Sequence, residues 1–139
     1  MKYLQLAIRE PADHRNPMHT FVMEHDGMHL AQLWNWNTTD ERADVILFRV
    51  VGAVEPYTSA LEEVPFVADY ETARIDEESF YVFVEHETRS ADAAFREPFL
   101  EQRVLTIPPI EYAADGEVRM EGVGQSADVQ AVVDGVPPA

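Results

Sequence analysis

Apolar and polar residues alternate over 2–9, with Leu4, Leu6 and Ile8 on one face, which predicts a strand. Asn16-Pro17 has the form of an N-cap and a first helical position, opening a short helix that carries Met18, Phe21 and Val22 and ends at Gly27. Residues 28–37 predict a strand rich in Leu and Trp, and Asn37–Arg42 a polar hairpin. The run at 44–51 is almost continuously apolar, the pattern of a central strand covered on both faces. A helix over 53–64 and a strand over 67–75 complete the order β-α-β-β-α-β, that of a ferredoxin-like unit.

The order then begins again. Residues 79–86 predict a strand, and Ser90 a capped helix to about 102, kinked or shortened by Pro98. Residues 104–112 and 117–123 flank Ala114-Asp115-Gly116, a strong hairpin signal. Pro108-Pro109 cannot donate ladder hydrogen bonds, so that strand is expected to bulge or to lie at an edge. Ser126 is expected to cap a last helix that stops at Gly135.

The halves also echo each other. Gly52–Pro65 overlies Gly124–Pro137 at an offset of 72 residues, with apolar positions coinciding at Tyr57/Val129, Ala60/Val132 and Leu61/Val133. The predicted fold is therefore α+β, with two tandem ferredoxin-like units at 1–76 and 77–139 sharing one core. The second lacks its last strand, which suggests a chain cut from a longer one; the alternative is a seven-stranded arrangement that ends naturally.

Composition narrows the class. The 139 residues hold 26 Asp plus Glu against 10 Lys plus Arg, a net charge of −16. Lys2 is the only lysine. Such a surface repels itself in dilute buffer and is screened at molar salt, where the Debye length is about 3 Å. It fits a salt-rich cytoplasm; the plainer alternative is an ordinary acidic protein. Clustered cations for binding nucleic acid are absent. With no cysteine there is no disulfide and no thiolate site. No apolar run approaches the ~18 residues of a membrane span.

Met1–Leu6, Asn16–His25, Leu33-Trp-Asn-Trp-Asn37, Phe80–Thr88 and Val104–Tyr112 carry a resemblance to a known family. Along essentially its whole length the chain resembles the N-terminal domain of haloarchaeal transcription regulators of the bacterio-opsin activator type. The resemblance implies a sensing or assembly domain followed by a helix-turn-helix. No helix-turn-helix pattern occurs within these residues, so the chain is not expected to read DNA.

Candidate chemistry is sparse. Trp34 and Trp36 are two apart on a strand and should share a face; Tyr81 lies on another strand, Arg49 is an isolated charge in the central strand, and Tyr70 lies on the next. A Trp/Tyr/Arg lining on the sheet face away from the helices would suit a small-molecule ligand; the plainer alternative is core or a sheet-on-sheet interface. His14, His19, His25 and His29 lie close together near Asp13, Glu24 and Asp26 and are weak metal candidates without a zinc-type spacing. Asn35, Trp36 and His86 are similar in type to the groups of cofactor-independent monooxygenases and isomerases built on ferredoxin-like barrels. The serines lie in no G-x-S-x-G context, and the six glycines form no phosphate loop. The expectation is a cytoplasmic, non-enzymatic regulatory, sensory or dimerising domain, homodimeric and without a cofactor, with a small-molecule ligand possible. The alternative is a small cofactor-independent enzyme on the same fold.

Overall fold

The computed structural model describes residues 1–38, 43–90 and 103–135. Seven strands form one sheet: β1 (Lys2–Ile8), β2 (Met28–Thr38), β3 (Ala43–Gly52), β4 (Val67–Arg74), β5 (Ser79–Glu87), β6 (Leu105–Ala113) and β7 (Val118–Gly124). Their spatial order is β1-β7-β6-β2-β3-β5-β4, and every pair in it is antiparallel. Helices α1 (Pro17–Glu24), α2 (Val54–Glu62) and α3 (Ser126–Gly135) complete the described elements. Beyond Ser90, the helix expected to about 102 lies outside the described residues, as does most of the 37–42 hairpin and the position of the missing last strand.

This overturns the expectation of two tandem ferredoxin-like units. Two such units would each close a sheet of their own, whereas all seven strands here share one sheet in which strands of the two halves are interleaved. Here the repeat survives, but the first strand of each half has changed partners. β1 pairs with β7 of the other half, Leu4 opposite Gly122 and Leu6 opposite Met120. β5 in turn pairs with β3 of the first half, Val82 opposite Phe48. The halves meet at β2 and β6, with Ala31 opposite Tyr112 and Leu33 opposite Ile110. Two hairpins, β2–β3 and β6–β7, each run through a glycine into a helix. That arrangement is the structural content of the 72-residue echo.

Side chains alternate across the strands as their period of two requires. On β5, Phe80, Val82, Val84 and His86 are buried, while Tyr81, Phe83 and Glu85 are exposed. The buried residues form two clusters under the helices. One joins Leu4, Leu33, Ile46, Ile110 and Met120 to Val129 and Val132 of α3. The other joins Val50, Phe80, Val82 and Val84 to Val22 of α1 and to Tyr57 and Leu61 of α2. Neither cluster belongs to one half of the sequence. Phe48 and Tyr112 pack against both, so the clusters meet there.

The caps and turns follow local chemistry. Asn16 caps α1, its Oδ1 accepting from Met18 N at 2.8 Å with Pro17 behind it, a cap worth about 1 kcal/mol. The β6–β7 hairpin turns at Gly116, whose φ of +93° favours glycine, and Ala113 O accepts from Gly116 N at 3.1 Å. Ser126 is the first residue of α3 rather than its cap; Gln125 O accepts from Val129 N at 2.9 Å to close the first turn. The β6–β7 ladder is interrupted between Ile107 and Glu111, which is where Pro108 and Pro109 sit, so β6 is bulged but interior. Among the described residues no helix is long and apolar enough to cross a membrane.

Candidate functional site

The five residues expected to form one ligand surface divide between the two faces of the sheet. The cause is a bulge in β2. Its register with β3 shifts between Leu33 and Asn35, leaving Trp34 as the extra residue. Leu33 and Trp36 then point under the helices, while Trp34 and Asn35 point away. Trp34 and Trp36, two apart, therefore do not share a face.

Trp34, Arg49 and Tyr81 do come together, on the outer face. Arg49 lies opposite both Gln32 and Tyr81 in the ladders. Gln32 Oε1 accepts from Trp34 Nε1 at 3.2 Å and, at the long limit, from Arg49 Nη1 at 3.5 Å; Gln32 Nε2 donates to Glu111 Oε1 at 3.1 Å. Trp34 and Tyr81 are each 41 % exposed, and Phe83 beside them is 46 % exposed. Tyr70 lies on the helix-covered face of β4, its hydroxyl donating to Glu62 Oε1 at the end of α2. That carboxylate partner holds the Tyr70 hydroxyl above its ordinary pKa. Tyr70 reaches neither Trp34 nor the cavity described next.

A narrow cavity sits where the two core clusters meet. Leu33, Trp36, Ile46, Phe48, Tyr57, Tyr112 and Val118 make its apolar and aromatic walls, and Asn16, Met18 and His19 of the α1 start close it on the helix side. It has about 40 Å³ of room for the centre of a water-sized sphere, which is space for a few ordered waters. A smaller lobe of about 20 Å³ shares Asn16, Met18, Phe48, Tyr57 and His86 with it and runs on toward Leu61 and Val84. Wider grooves of about 420 and 460 Å³ lie beside Arg119 and beside Leu105, but each is an open surface depression.

The polar groups in the cavity are few and specific. His19 is 3 % exposed, and its Nε2 lies 2.9 Å from Ala113 O. A carbonyl only accepts, so Nε2 carries the proton and Nδ1 keeps its lone pair. Nδ1 is buried and has no hydrogen-bond partner among the described residues. Burial, aided by the charge of Arg15, pushes the His19 pKa below its ordinary value, against the opposing pull of the Ala113 bond and Asp115. The ring packs edge-on against Tyr112 at 5.3 Å. His86, 4 % exposed, donates from Nδ1 to Glu87 O at 2.7 Å, so its Nε2 is the acceptor. Burial also raises the Tyr57 hydroxyl well above its ordinary pKa.

The match to known proteins now has a structural frame. A family model for the haloarchaeal HVO_0513_N N-terminal domain matches residues 16–139, from the α1 cap onward. The chain belongs to this family. No curated protein matches it, and no solved structure does. The matched span includes every residue that lines the cavity except Glu10.

The other three metal candidates, His14, His25 and His29, do not converge with His19. His14 is exposed, 3.8 Å from Asp13; His25 Nδ1 accepts from Gly27 N at 3.0 Å behind the end of α1; His29 is exposed on β2. Among the described residues no group of three or more His, Asp or Glu is placed to hold a metal. Of the residues cast in an enzyme role, Trp36 and His86 line the cavity and Asn35 does not. Sequence reasoning missed Met18, Phe48, Tyr57 and Tyr112 as cavity residues. The available signal was the spacing of His19 and Val22, three apart on one helical face that also buries Val22.

Proposed function

We propose that this HVO_0513_N domain is the sensory part of a cytoplasmic haloarchaeal transcription regulator, with the cavity beneath α1 as its sensing site. The observation that carries the reading is a narrow cavity with four aromatic rings in its walls, lined by the buried His19, whose Nδ1 has no hydrogen-bond partner among the described residues. An acceptor left unsatisfied in a core costs about 1–3 kcal/mol, which an occupant with a donor would recover. A family defined as an N-terminal domain, and the resemblance to helix-turn-helix regulators, both support a role in controlling an attached module.

Deleting the gene, and separately filling the cavity with Met18→Phe, tests the reading through transcript profiles of the host. Both changes should alter the same set of transcripts. Unchanged profiles in both strains would refute it.

Homodimerisation through the outer face, where Trp34, Tyr81 and Phe83 stand exposed, is compatible with the same role. Light scattering across salt concentrations tests it, and a strict monomer refutes it. A cofactor-independent enzyme is the second reading, favoured by Asn16, Trp36 and His86 lining one cavity. Turnover of an electron-rich aromatic that stops in Trp36→Leu and His86→Phe would support that reading over the sensor.

A further inference from the structure

The lining of the cavity limits what it accepts. No lysine or arginine is among its described lining residues, and Glu10 is. To an anion, these described walls offer imidazole lone pairs and no cationic side chain. A plain hydrocarbon would offer nothing to His19 Nδ1, which has no hydrogen-bond partner among the described residues. The walls combine the rings of Trp36, Phe48, Tyr57 and Tyr112 with aliphatic Leu33, Ile46 and Val118, which suits a flat apolar body.

We propose that the cavity takes a small, uncharged, flat molecule carrying one O–H or N–H donor, and that His19 Nδ1 accepts the hydrogen bond from that donor. The inference rests on reading the cavity as the sensing site. His19 suits the role because its other nitrogen is fixed: the Nε2 bond to Ala113 O sets the tautomer and aims the ring. Room for the guest comes from Met18. It lines both lobes, and its unbranched thioether is the most adaptable side chain that they share.

The test uses the whole chain in molar potassium chloride, with ¹⁵N-labelled histidine, titrated with phenol, benzene and benzoate. Phenol should bind, move the His19 Nδ1 resonance, and bind about tenfold tighter than benzene, the worth of one buried hydrogen bond. Benzoate should not compete. In His19→Leu, which removes the acceptor altogether, the phenol preference should fall to within about twofold. Equal binding of phenol and benzene, tighter binding of benzoate, or phenol binding that leaves the His19 signal unmoved would overturn the ligand class alone. Binding by none of the three would overturn the sensing cavity as well. The comparison of phenol with benzene needs no variant, so a His19→Leu chain that fails to fold leaves the inference testable.

Discussion

Gly52 and Gly124 occupy equivalent places in the echo, each at the end of a strand that leads into a helix, yet their substitution by alanine should have unequal effects. Gly52 has a φ of +154°, a conformation that L-residues rarely adopt. A Cβ there would stand 1.9 Å from Met28 Cε, 2.8 Å from Gly27 O and 3.1 Å from Met28 Cα. The Met28 tip can swing away. The Gly27 carbonyl cannot, because it accepts from Ala53 N at 3.2 Å at the start of α2. Backbone strain of about 1–3 kcal/mol adds to overpacking of about 1–3 kcal/mol, less about 0.5–1 kcal/mol regained from a stiffer unfolded chain. Gly52→Ala should therefore destabilise by about 3 kcal/mol.

At Gly124 no such backbone constraint exists, and a Cβ would meet Val104 Cγ2 at 3.1 Å and Val129 Cγ2 at 3.4 Å, both side-chain methyls. Gly124→Ala should cost less than about 1 kcal/mol. Urea unfolding at fixed potassium chloride, followed by circular dichroism, measures both. In thermal melts the Gly52 variant should lose about 10 °C, and the Gly124 variant a few degrees at most. A Gly52→Ala protein within about 0.5 kcal/mol of the parent, or a Gly124→Ala protein as unstable as it, would refute the argument from the Gly27 carbonyl.

Three further outcomes follow from the same structure. Leu61→Ala, which empties a site only 2 % exposed, should cost about 2–4 kcal/mol, whereas Val133→Ala at its echo position, 41 % exposed, should stay within about 0.5 kcal/mol by urea unfolding. Acrylamide should quench the fluorescence of Trp36→Phe, which retains Trp34, far more than that of Trp34→Phe; equal quenching would refute the β2 bulge. Because His19 titrates lower folded than unfolded, the unfolded chain takes up its proton first. This contribution to stability should be flat above the ordinary histidine pKa of about 6.5 and decline as pH falls below it, and His19→Gln should remove that slope in pH-dependent unfolding.

The elements were legible in the sequence; their pairing was not. The alternation at Leu4, Leu6 and Ile8 marks β1 as a strand with one buried face, but that face fits β7 as well as it would fit β3. Nothing local decides between them, because strand partners are set by contacts far apart in the chain. The bulge at Trp34 shows the same limit at a single residue. A strict period of two puts Trp34 and Trp36 together, and one extra residue separates them. The cavity was legible only in part. His19 stood out as a titratable group, but its meaning depends on Ala113, a backbone carbonyl distant in sequence that no side-chain pattern marks.

The exchange of first strands gives α1 its place in the proposed mechanism. Because β1 sits at one edge beside β7 while β2 lies mid-sheet, the segment joining them must cross the face of β7 and β6. It is tied down on the way: Arg9 Nη1 donates to Asp115 O at 2.6 Å, and His19 Nε2 donates to Ala113 O, both on the β6–β7 hairpin. Val22 of the same helix enters the α2 cluster, while the hairpin carries Val118 and Met120 of the α3 cluster. A guest that engages His19 and displaces Met18 would push on α1 between these attachments. It would act on both core clusters at once, which a site confined to one half of a simple tandem repeat would not do.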